Sequence, residues 1–298
     1  MPKKDGTPGP LFLVGLGLCD ENDLPLRSLE ILKGCKSIFA ENYTNLMREG
    51  TLERLEKKIN EEEKTDENEE ARHDKKIIQL AREEVEGERI ILEAAKEGPV
   101  ALLVPGDPMT ATTHNSLLMT AKEKGIPAKI LHASSILSAA PGAAGLQAYK
   151  MGKTATITYW RKNYEPTAFL DIIAENQARG AHTLCLLDID PKLGPMKPSQ
   201  ALELIEKAQK KKTELDNESN EKTPGTRPSE AGAFPSPSAR IFILSRVGWP
   251  EQRIWAGELK DWENELDAKR PGPCAIIICA KMHFAEEEAW KAAGGQRR

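Results

Sequence analysis

Apolar residues in this chain fall into short runs broken by turn residues, alternating with longer stretches of helical spacing, so strands and helices should take turns. Residues 11–15 form an apolar run ending in glycines, and 37–40, 100–104, 154–160, 183–189, 240–245 and 274–279 read as further strands. Helical spacing covers 26–33, about 74–96, 115–124, 169–179 and 199–211. Gly125 followed by Pro127 stops one of these helices, and Gly180 closes another. The alternation predicts an α/β class, and the length predicts two domains with a core each. The join is expected between His132 and Ser135, giving a tail over 1–10 and domains over 11–133 and 134–298.

Two segments interrupt the pattern. Residues 60–73 are dense in Glu, Lys, Asp and Asn without an apolar period and read as a mobile loop or an extended polar helix. Residues 213–238 turn to Glu, Asn, Ser, Pro and Gly and are expected to be disordered or loosely tethered.

Charge and composition narrow the function classes. The formal net charge of −4 argues against an enzyme that must gather several phosphates, and Lys210, Lys211 and Lys212 read as a solvated charge run. The first ten residues lack an apolar h-region, and no stretch approaches the roughly 20 apolar residues needed to span a bilayer, so a cytoplasmic protein is expected. Cys19, Cys35, Cys185, Cys274 and Cys279 form no C-x-x-C pair and no metal-ligand spacing, which points to reduced structural thiols rather than disulfides or zinc.

Three segments carry candidate chemistry. The run VPGDPMTATTH (104–114) places Asp107 in a rigid turn after a strand, where an open α/β sheet binds its ligands. GLGLCDENDL (15–24) ends a strand in glycines, which serve either to admit a ligand to the backbone or to make a tight turn. A dinucleotide fingerprint would need glycine where Asp20 stands, and no P-loop is present. HASSILSA (132–139) puts serines at the N-cap of a helix of small residues, with no nucleophile elbow around them.

Together with FAENYT (39–44), GLQAYKMGK (145–153) and HTLCLLDI (182–189), these strings resemble the diphthine synthase family of the tetrapyrrole methylase superfamily, in order from Leu11 to about His283. The resemblance implies two α/β domains of the tetrapyrrole methylase type with a cofactor cleft between them. It implies an S-adenosylmethionine-dependent protein methyltransferase of diphthamide biosynthesis, acting as a homodimer on the amino group of a modified histidine of translation elongation factor 2. It places cofactor contacts at Leu18, Asp107, Thr110, Ser135, Ile136, Leu187, Val247 and Cys274. Relatives usually carry histidine in place of Cys274, and they join the elements around 60–70 with a shorter segment.

Methyl transfer of this kind is a displacement by a neutral amine, needs no metal, and rests on positioning and exclusion of water. No general base is readable from the residues. Glu41, Tyr43 and His114 are candidates to face the cationic product, His182 and His283 read as structural, and His132 is open between structure and catalysis. The alternatives are a methyltransferase of the same fold acting on a tetrapyrrole or RNA, and a non-catalytic protein that binds the elongation factor.

Overall fold

The apolar runs of the first half become a sheet in which every strand points the same way. The computed structural model describes residues 8–41, 43–61, 74–222, 235–262, 267 and 272–295. It divides into two compact units, Met1–Ile136 and Leu137–Arg298. In the first unit β1 (Leu11–Gly15), α1 (Leu26–Gly34), β2 (Ser37–Glu41), α2 (Thr51–Asn60), β3 (Ile77–Leu80), α3 (Arg82–Glu86), α4 (Arg89–Glu97), β4 (Val100–Val104), α5 (Asn115–Glu123) and β5 (Ala128–Leu131) follow in order. The strands lie in the order β3-β2-β4-β1-β5, all parallel. All five residues of β4 are buried, as a central strand covered on both faces requires. Leu13, Leu102 and Val104 pack with Ile91, Leu92 and Leu117 on one face, while Val14, Ile38 and Leu103 pack with Leu32, Leu55 and Ile59 on the other.

The second unit holds most of α6 (Ile136–Ala144), then β6 (Ala155–Ile157), α7 (Ala168–Ala178), β7 (Thr183–Leu187), the short hairpin β8 (Ile189–Asp190) and β9 (Gly194–Pro195), and α8 (Pro198–Lys222). β10 (Arg240–Ser245), β11 (Arg253–Glu258), β12 (Cys274–Ile278) and α9 (Phe284–Trp290) complete it. The sheet order is β11-β10-β12-β7-β6, antiparallel except for the β6–β7 pair. Its core gathers Ile157, Leu170, Ile173, Cys185, Ile205, Ile243 and Ile276.

The α/β class is as the sequence predicts, with four corrections in detail. The helical reading of 74–96 gives way to β3, α3 and α4, because Ile77–Leu80 pairs with β2 at the sheet edge and Gly87 with left-handed Glu88 breaks the helix. α2 forms over a stretch to which the sequence pattern assigns no element, held by Thr51, Leu55 and Ile59 on one stripe of an otherwise charged segment. β11 adds an edge strand, and α8 runs to Lys222, through the start of the stretch expected to be disordered. The rest of that stretch, 223–234, lies outside the described residues, as do 62–73 of the acidic insertion and 1–7 of the tail.

Candidate functional site

β1 and β4 are neighbours, yet the chain leaves β1 through α1 towards β2 on one side and leaves β4 through α5 towards β5 on the other. Their carboxyl ends therefore mark the switch point of the sheet, where open α/β folds place ligands. The two turns are tied to each other there. Gly17 N–H donates to Gly106 O at 3.2 Å and Gly106 N–H donates to Gly17 O at 2.7 Å.

The glycines make room for the protein itself. A Cβ on Gly15 would lie 2.6 Å from Gly106 O and 2.7 Å from Ala133 Cβ, and one on Gly17, at φ +81°, would lie 2.4 Å from Asp23 Cβ. Of the two readings open in the sequence, the tight turn is what these glycines serve. Asp23 closes that turn: its Oδ2 accepts from the Leu18 and Cys19 amides at 2.9 and 2.7 Å. A contact to a ligand at Leu18 would therefore fall to atoms other than its amide. Burial opposes ionisation of the neighbouring Asp20, but hydrogen bonds from the Asn22 amide and side chain outweigh it and hold the carboxyl below its ordinary value.

Asp107 is nearly buried at the end of β4. Its Oδ1 accepts from the Met109 amide at 3.0 Å, and its Oδ2 meets His132 Nδ1 at 2.7 Å and the Ala133 amide at 3.3 Å. A carboxylate offers about four acceptor positions, so one remains for a hydroxyl or ammonium. Thr110, half-buried, donates its amide to the Asp107 carbonyl at 3.1 Å, which keeps the turn closed. Ser135 is buried beside Ile136, the first residue of α6. Leu18, Asp107, Thr110, Ser135 and Ile136 all belong to the first unit, at or just beyond the carboxyl ends of β1, β4 and β5.

Glu41 and His114 sit deeper than their candidacy supposes. Glu41 is 2% and His114 3% exposed, and Glu41 Oε2 lies 2.9 Å from His114 Nε2. His114 Nδ1 faces the Pro108 carbonyl at 3.1 Å, an acceptor that cannot donate, and the Thr44 hydroxyl donates to the other Glu41 oxygen. Burial disfavours a charged ring, yet the Glu41 carboxylate and the Pro108 carbonyl outweigh it and raise the imidazole above its usual value. The pair thus ties the end of β2 to the Asp107 turn. The Tyr43 hydroxyl is buried without a hydrogen-bond partner, and burial together with the Glu41 charge pushes the phenol up.

In the second unit the other three expected residues lie at one end of the sheet. Ile157 pairs with Leu187, Ala275 pairs with Leu186, and Ser245 pairs with Cys274, so Leu187 and Cys274 lie at the same end of the sheet. Val247 follows two residues beyond Ser245, and the Arg246 amide between them donates to Pro273 O at 2.8 Å.

The most charged buried cluster was not anticipated. Glu286, fully buried on α9, accepts from the Gln147 amide at 3.0 Å, the His283 amide at 2.7 Å, His182 Nε2 at 3.2 Å, and the Lys150 ammonium. Burial resists the charge, but Lys150 and these donors prevail and bring the carboxyl down to about 2. His182 Nδ1 accepts from the Ala280 amide at 2.9 Å, which assigns the proton to Nε2, and burial lowers its pKa. The only sequence signal was Glu286 three residues after His283 at a helix start, the spacing of a capping box.

None of the five cysteines is in a disulfide. Burial pushes the Cys19 and Cys35 thiols up to about 11 and Cys185 to about 12, and raises Cys279 as well, while Cys274 is half-buried. No group of three His, Cys, Asp or Glu residues placed to hold a metal occurs among the described residues, and no described helix is long and apolar enough to cross a membrane.

Residues 10–263 match the family model of the tetrapyrrole (corrin/porphyrin) methylases. Diphthine synthase from Methanothermobacter thermautotrophicus is 36% identical over 279 residues, covering 93% of each chain. That from Methanocaldococcus jannaschii is 37% identical over 287 residues, covering 94% of this chain and 97% of its own. A crystal structure of diphthine synthase superposes with a TM-score of 0.74 at 26% identity, covering 96% of both chains.

Proposed function

Because the chain belongs to the diphthine synthases of the tetrapyrrole methylase family, we propose that it transfers methyl groups from S-adenosylmethionine to the amino group of the modified histidine precursor on translation elongation factor 2. It is a methyltransferase. The observation that carries the reading is the nearly buried Asp107 carboxylate at the switch point of the first sheet, with three donors in place and capacity for one more.

That donor set fits the cofactor. Asp107 would take a ribose hydroxyl or the methionine ammonium, with Thr110, Ser135 and Ile136 beside it in the first unit, and Leu18 contributing from the β1 turn. Leu187, Val247 and Cys274 would contribute from the second unit, Leu187 and Val247 through backbone atoms. When bound, S-adenosylmethionine supplies a methyl carbon on a sulfonium whose leaving group is a neutral thioether. The protein's part is to hold the amine in line and keep water out. Glu41 and His114, engaged with each other, hold the Asp107 turn rather than face the cationic product. The same reading has the chain act as a homodimer in the cytoplasm, without direct nucleic-acid contact.

Mass spectrometry tests this reading on elongation factor 2 carrying the unmethylated precursor, incubated with the protein and S-adenosylmethionine. Mass gains in methyl steps on the modified histidine, lost with Asp107→Ala, are the expected result. Cofactor binding by calorimetry without any mass gain would leave a methyltransferase with a different substrate.

A further inference from the structure

Of the four histidines among the described residues, His132 differs from the others in how its ring is held. His114 and His182 are buried with both ring nitrogens engaged. The ring of His283, in the second unit, lies 4.3 Å from that of Phe284. His132 has one nitrogen fixed and one open. Nδ1 sits 2.7 Å from Asp107 Oδ2, and Nε2 has no protein partner among the described residues.

A carboxylate oxygen only accepts, so this contact puts the ring proton on Nδ1 and leaves the Nε2 lone pair outward. Exposure divides in the same sense: the Asp107 side chain is 11% exposed and that of His132 68%. A buried carboxylate that orients an imidazole whose far nitrogen is open is the arrangement by which acyl-transfer enzymes hold a general base. The position suits that task, because His132 directly follows β5 and precedes Ser135 and Ile136 by three and four residues. Asp107 is the charged group hydrogen-bonded to the ring.

We infer that His132, oriented by Asp107, is the base that takes the proton from the incoming amine, an assignment that rests on the methyl transfer proposed above. An alkylammonium keeps its proton until about pH 10 and has no lone pair to attack with, so each methyl added requires one proton removed. The ammonium N–H bond breaks towards Nε2 and its electron pair stays on nitrogen. That pair forms the N–C bond as the C–S pair leaves with sulfur, and the imidazolium returns its proton to water. Asp107 then has two tasks, steadying the ring through Oδ2 and offering its remaining acceptor position to the cofactor.

Three measurements on the full-length protein test the assignment. Nitrogen-15 NMR of the histidines, without cofactor, should show the His132 ring protonated on Nδ1, with mixed tautomers in Asp107→Ala. Single-turnover methyl transfer to the elongation-factor substrate should slow about a hundredfold in His132→Ala at neutral pH, with the deficit narrowing towards about pH 10 where the amine loses its proton unaided, and should recover in part with added imidazole. Calorimetry with S-adenosylhomocysteine should give the wild-type affinity in His132→Ala, which also shows that the variant is folded. The assignment is overturned by an Nε2-protonated wild-type ring, by an unchanged rate and pH profile in His132→Ala, or by a loss of affinity as large as the loss of rate. If the wild type binds S-adenosylhomocysteine but adds no methyl to the factor, the substrate reading fails and the base assignment falls with it.

Discussion

Burying a carboxylate costs several kcal/mol unless a partner offsets it, and in this chain each such partner also fixes a backbone segment. Glu41 and His114 join the end of β2 to the Asp107 turn, with Thr44 and the Pro108 carbonyl completing the cluster. His114 has its folded pKa raised above 6.5, so the stability it contributes is full below that value and is lost as pH rises through the raised one. Thermal melts from pH 6 to 9 should show this loss in the wild type and not in Glu41→Gln; a parallel pH dependence in both would refute it. Glu41→Ala, which leaves a buried ring without its counter-charge, should cost about 3–5 kcal/mol in denaturant titrations. Asp23→Ala removes the acceptor of two amides in the β1 turn and should cost about 1–3 kcal/mol while weakening S-adenosylmethionine in calorimetry. Little of this was legible in the sequence. Asp107 stood out because Pro and Gly around it announce a turn, and Glu41 and His114 stood out as types, but their pairing joins residues 73 apart that only the β2–β4 register brings together.

At the scale of elements, α9 is held to the second unit by a carboxylate as well as by its apolar residue Trp290. Glu286 has its pKa depressed from 4.5 to about 2, so its contribution is present above 4.5 and is lost as pH falls towards 2. That difference corresponds to stabilisation on the order of 3 kcal/mol at neutral pH. Glu286→Gln should therefore melt well below the wild type at pH 7 and close to it near pH 2, and an equal gap at both values would remove the ion-pair account. Elements with a full apolar period and a clear stop, such as β4 and α5, were legible within a residue or two. The misses have identifiable causes. α2 buries only three residues in a run of charges, β3 is a four-residue edge strand, and β11 needs Gly257 to clear the Trp255 ring, whose edge lies 2.3 Å from where a Cβ would be.

For the whole molecule, the α/β class followed from alternation alone, because a parallel sheet needs crossover helices and its strands read as apolar runs. The catalysed reaction did not follow from alternation; it came from strings such as VPGDPMTATTH and HASSILSA together with the relatives that share the fold. Each unit has its own core, so a chain ending at Ile136 should unfold cooperatively on heating, and a broad, dye-binding transition would show that it depends on the remainder. The five cysteines have a further consequence. With four of them buried and their thiols raised, a disulfide reagent offered to the native protein should find Cys274 first, at the head of β12. The chain thus carries a natural attachment point for a dye at the end of the sheet that Leu187 and Val247 share, and slower labelling in the presence of S-adenosylmethionine is the outcome expected of the cofactor contacts proposed above.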